Sequence, residues 1–138
     1  MGGWDPSPDG YHGLKSAEIF HPKTSRSSFV GNLNIGRSGL SICNNIVCGG
    51  WIKKAERSCE KFDGISTFTS LPVKLVGVRW SHSCWGLKSG DVLLLGGWKK
   101  DVETAERVSA DGSSSSIAFK LPYKTQLVYI VLFEYEYW

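Results

Sequence analysis

The chain has 138 residues, 41% of them hydrophobic and 21% charged, with a formal net charge of +3. That balance excludes a fibrous or disordered chain and fits one domain or part of one. The longest apolar run, Leu127 to Phe133, has seven residues, too short to span a bilayer, and Lys and Arg are scattered rather than gathered into a nucleic-acid footprint.

In chain order the first marked word is Gly2-Gly3-Trp4, followed by a long loop carrying Tyr11 and His12. "SAEIF", Ser16 to Phe20, alternates like a half-buried strand and stops at Pro22. Asn44-Asn45 lies between "SIC" and "IVC" and fits a two-residue hairpin turn. Ile46 to Cys48 is an apolar run too short for a helix, read as a strand buried on both faces. It leads into Gly49-Gly50-Trp51. "SCEKF", Ser58 to Phe62, ends on the turn signal Asp63-Gly64. "KSGD", Lys88 to Asp91, is a further turn before the apolar run Val92 to Leu95 and Gly96-Gly97-Trp98. "TAERV", Thr104 to Val108, ends near Asp111-Gly112. No ten-residue stretch has a helical period.

Self-similarity organises these words. The Gly doublets recur at 47 residues, in units of about 2–48, 49–95 and 96–138 within one domain of residues 1–138. The distances between words vary, so the equal totals are partly coincidence. A firmer regularity is that Arg37 follows Glu18 by 19 residues and Arg79 follows Glu60 by 19. Two glycines at the same strand end predict a corner where a Cβ would collide, built three times. Glu18, Glu60 and Glu106 hold repeated strand positions and are expected to serve as structural hydrogen-bonding groups.

The pattern resembles the kelch repeat. The matching words are "IVCGG" and "VLLLGG", then "EIFHP" and "EKFDG", then "FVGNL" and "FTSLP", then "GRSGLS" and "VRWSHS". The resemblance runs from residue 1 to about 126. It implies an all-β chain, an incomplete propeller of four-stranded antiparallel blades, and a protein–protein interaction role, as in substrate-recognition parts of larger adaptors. The chain departs from the family where Trp is usual in the fourth strand: Phe29 and Phe68 stand there. A tachylectin-type lectin also repeats Gly-Gly-Trp, so a carbohydrate-binding propeller is one rival. A fragment of a galactose-oxidase-like propeller is another.

The chain opens on the last residues of a doublet strand, and its next doublet would fall past Trp138, so it is expected to be a piece of a longer protein. Open sheet faces and the apolar tail then predict marginal stability and self-association. No enzymatic constellation is visible, no cofactor is implied, and neither a nucleic acid nor a membrane is an expected partner. No C-x-x-C occurs and the three histidines are far apart, so no metal site is expected. Cys43, Cys48, Cys59 and Cys84 are expected as reduced, small apolar residues, with a Cys43–Cys48 disulfide as the alternative. With no leader visible, the expected location is cytoplasmic. Candidate partner-binding positions are Tyr11, His12, Lys53, Lys54, Arg37, Arg79 and Trp80. For Arg37 and Arg79 the competing expectation is an ion pair or strand cap inside the scaffold. Trp4, Trp51 and Trp98 are expected to pack between sheets, with a ligand platform as the alternative.

Overall fold

A computed structural model of the chain describes residues 2–6, 12–98 and 103–122. Among these residues the protein is all-β. In order the strands are β1 (Trp4–Asp5), β2 (His12–Gly13), β3 (Ser16–His21), β4 (Arg26–Asn32), β5 (Ser41–Cys43), β6 (Ile46–Cys48) and β7 (Trp51–Ile52). Then come β8 (Lys54–Ala55), β9 (Ser58–Phe62), β10 (Phe68–Lys74), β11 (Ser83–Gly86), β12 (Val92–Leu95), β13 (Thr104–Val108) and β14 (Ser115–Lys120).

The strands form two four-stranded antiparallel sheets of the same order, β5-β6-β9-β10 and β11-β12-β13-β14. Each is a meander that straddles a Gly doublet, with the doublet between its second and third strands. The antiparallel pair β3–β4 repeats the outer half of this plan, since Ala17, Cys59 and Ala105 hold the same place and are all fully buried. Pairs β1–β2 and β7–β8 are small ribbons next to the doublets, and β2 lies against β7.

Local chemistry explains the turns. Asn44 and Asn45 both adopt positive φ, 48° and 61°, which a two-residue hairpin loop requires and which Asn tolerates. The Asp63 carboxylate accepts the backbone N–H groups of Ile65, Ser66 and Thr67 at 2.8, 2.9 and 3.0 Å and so holds the β9–β10 turn.

Strand alternation gives each sheet two apolar faces. Val47 and Phe62 face the β3–β4 pair and join Phe68, Ala17 and Leu33 in one core cluster. Phe62 and Phe68 stack there with ring centroids 4.8 Å apart. Ile46, Cys48 and Cys59 face the other way and meet Val92, Leu94 and Val108 of the next sheet, with Val73 and Leu75. Side chains such as Leu75 and Leu94 are essentially inaccessible, and burial of that kind is worth about 1.5–3 kcal/mol each.

All four cysteines form disulfides, which corrects the expectation of free thiols: Cys43–Cys84 and Cys48–Cys59. The Cys43–Cys48 alternative fails on register. Cys43 lies opposite Ile46 and Cys48 opposite Ser41, while on its other side Cys48 lies directly across from Cys59. Cys43 instead reaches β11 of the neighbouring sheet. The apolar tail beyond residue 122, expected to favour self-association, lies outside the described residues.

Candidate functional site

The doublets occupy like surroundings. Gly2–Gly3 has φ of +58° and +137°, Gly49–Gly50 +62° and +100°, and Gly96–Gly97 +63° and +109°. The Gly3 N–H donates to the Arg37 carbonyl at 3.1 Å, and the Gly50 N–H donates to the Arg79 carbonyl at 3.0 Å. A Cβ on Gly2 would sit 2.5 Å from the Arg37 oxygen, and one on Gly49 would sit 2.6 Å from the Arg79 oxygen. The Gly2–Gly3 and Gly49–Gly50 doublets are therefore where one unit's backbone meets the linker of the next, closer than any side chain permits.

The same linkers send an arginine inward. Arg37 Nη1 donates to the Gly49 and Ser58 carbonyls at 2.8 and 3.0 Å, and its Nη2 to Ser58 Oγ and Glu60 Oε1 at 3.0 and 2.8 Å. Arg79 repeats these four contacts, although its Nε has no partner among the described residues where Arg37 Nε donates to the Ile35 carbonyl at 3.4 Å. Arg79 Nη1 donates to the Gly96 and Thr104 carbonyls at 3.3 and 3.1 Å, and its Nη2 to Thr104 Oγ1 and Glu106 Oε2 at 3.2 and 2.9 Å. The glutamates in turn accept linker N–H groups: Glu60 those of Asn34 and Ile35, Glu106 those of Val76 and Gly77. Both ion pairs are wholly buried. Burial lowers the pKa of each guanidinium, and the facing glutamate opposes that shift.

This corrects the candidacy of Arg37 and Arg79 as partner-binding groups, because each guanidinium is spent inside the scaffold. The 19-residue interval joins Arg to the wrong glutamate; the ion-pair partner is the next one, 23 or 27 residues ahead. The hydroxyl that begins the second and third repeated words has its reason here, since Ser58 and Thr104 accept from the arginine. Glu18 departs from its two counterparts. It is exposed and accepts a hydrogen bond from Ser27 at 2.6 Å.

Above the doublets the indoles come together. Trp51 and Trp80 have ring centroids 5.5 Å apart, and Trp80 and Trp98 a further 5.5 Å. The row is set by backbone: Trp51 exchanges hydrogen bonds with Ser38, and the Trp98 N–H donates to the Trp80 carbonyl at 2.8 Å. Trp51 and Trp80 are half-buried, and Trp98 is 44% exposed. Trp80 thus keeps its place as a candidate, with Trp51 on one side and Trp98 on the other. Lys53 and Lys54 are exposed on the β7–β8 ribbon that Trp51 begins, and His12 is half-buried on β2, which lies against β7. Tyr11 lies outside the described residues.

His82 lies beneath this row. It is 6% exposed, wedged against Gly49 and Gly97, with Nε2 2.6 Å from Ser41 Oγ of the preceding sheet. Its hydroxyl partner is neither Ser81 nor Ser83. Burial, helped by the charge on Arg79, lowers its pKa to about 3, so the ring is neutral. Among the described residues no three His, Cys, Asp or Glu side chains come together as a metal site. No helix among them is long and apolar enough to cross a membrane. No family model matches the chain, and no curated protein matches it significantly.

Proposed function

We propose that the chain is a protein-binding module of kelch-like repeats, in which the two four-stranded sheets and the β3–β4 pair are successive blades of a β-propeller. The observation that carries the reading is the row Trp51–Trp80–Trp98 beside the Lys53–Lys54 ribbon, held on a scaffold whose joints repeat the same Arg–Glu pairing. Aromatic groups fixed on rigid elements and flanked by adaptable loops are what a protein interface needs. The buried Arg–Glu pairs and the doublets have structural tasks, which leaves the doublet end to recognition. Two disulfides favour an oxidising compartment for the protein over the cytoplasm.

The test is affinity capture on the immobilised chain, followed by a direct titration with the recovered protein. Trp98→Ala should weaken that titration at least about tenfold, the size expected of an exposed aromatic anchor. Equal binding by Trp98→Ala and by the parent chain sinks the reading. A second reading has an observation of its own: indole faces in a row also suit the apolar faces of sugar rings. Binding on a glycan array, abolished by Trp51→Ala, with no protein partner recovered, would favour a carbohydrate-binding propeller instead.

A further inference from the structure

The strand register sorts the charged residues by end. Linkers, doublets and the small ribbons lie at one end of the sheets, and the tight turns lie at the other. At the doublet end Lys15, Lys53, Lys54 and Arg57 are exposed. The described carboxylates there are Asp5, Glu56 and Glu103, all half-buried. Glu56 accepts the backbone N–H groups of Arg57 and Ser58, both at 2.9 Å, so it is turned to its own chain. The turn end is mixed: Asp63, Asp91 and Asp111 interleave with Lys23, Arg26 and Lys88, and the first three accept hydrogen bonds from their own or adjoining turns. At the turn end a lone indole, Trp85, is 37% exposed near Lys88 among the aspartates, whereas at the doublet end a row of three indoles lies beside exposed lysines.

From this juxtaposition we infer that the doublet end binds an acidic, aromatic-bearing extended segment of a protein partner, with rings laid on the Trp51–Trp80–Trp98 row and carboxylates over Lys53 and Lys54. The inference rests on the protein-binding reading and adds the chemistry of the partner to it. Charge complementarity selects the occupant. A cationic segment would meet exposed lysines, and a neutral sugar would leave them without use. The two lysines stem from a tight ribbon, where Lys53 takes a φ of +53°, so the backbone that carries them is fixed beside Trp51 while their stems can reach a ligand's carboxylates.

The probe is a synthetic peptide alternating Glu and Tyr, labelled for fluorescence anisotropy and titrated with the whole oxidised chain. Binding should weaken steeply with added salt, and at least about tenfold in the Lys53→Glu/Lys54→Glu double variant, because reversed rim charges repel the ligand. Lys23→Glu/Lys88→Glu, the same change in net charge at the turn end, should leave affinity within about twofold. Equal loss in both double variants means a net-charge effect and overturns the proposal, as does equal binding of a Lys–Tyr peptide. Retention on a sulfated polysaccharide that depends on Lys53 and Lys54, with no peptide binding, overturns it in favour of a sugar polyanion. Partner capture that survives Lys53→Glu/Lys54→Glu but not Trp98→Ala would sink the acidic partner while sparing the broader protein-binding reading.

Discussion

The Arg–Glu pairs illustrate how far single residues can be read. Glu60 and Glu106 were recognisable as structural because they recur in strand positions, and both are buried hydrogen-bond hubs. Arg37 and Arg79 were not, because an arginine in a loop is usually exposed, and what holds these two lies 12 to 27 residues ahead in the chain. Removing one partner strands a buried charge. Glu106→Ala should therefore destabilise the chain by about 3–5 kcal/mol, while an Arg79→Met/Glu106→Leu double variant should cost far less, as urea unfolding would measure. His82 makes stability depend on pH. Its folded pKa, about 3, lies below its ordinary value of 6.5, so the unfolded chain binds the extra proton. Stability is then complete above about pH 6.5 and falls toward pH 3, by up to about 1.4 kcal/mol per pH unit. The acid arm of Asp63 and Asp111, each lowered to about 2, begins only below their ordinary value of 3.8. His82→Gln should flatten the profile between pH 6 and pH 4, read by thermal melts across that range.

Strands and turns carried strong local signals, and the elements they define were legible. Asn44-Asn45, Asp63-Gly64 and the doublets announce themselves through φ requirements that few residues meet. The ribbons β1–β2 and β7–β8 were not legible, since two-residue strands leave no alternation to detect. Nor was the cysteine pairing, which depends on which strands face each other across sheets. The two bonds should respond differently to reductant. Cys48 and Cys59 are fully buried within one sheet, whereas Cys43 and Cys84 are partly exposed and join two. A mild dithiol should free Cys43 and Cys84 first, and alkylation with peptide mass mapping would identify them. Simultaneous labelling of all four would show that the sheets open together.

At the scale of the whole molecule, the three units stack so that each covers its neighbour, and the β3–β4 pair has one face without that cover among the described residues. By register Glu18 and Phe29 share that face, as do Phe20 and Ser27. Phe20 is 61% and Phe29 62% exposed, where the corresponding face of the next sheet buries Glu60 and Phe62. Such rings favour association, so the chain should elute from size exclusion at a volume that depends on concentration, and Phe20→Ser/Phe29→Ser should remove the dependence. The covalent tie between sheets has a mechanical side. Pulled from its two termini, an oxidised chain transmits force through Cys43–Cys84, and the 41-residue span it closes stays slack, with the 11-residue loop of Cys48–Cys59 nested inside. Opening the outer bond alone lengthens the tether by 41 − 11 = 30 residues, about 100 Å, and opening the inner one adds about 40 Å. With a soluble dithiol present to reduce each bond, optical tweezers would resolve those two increments as separate steps in extension.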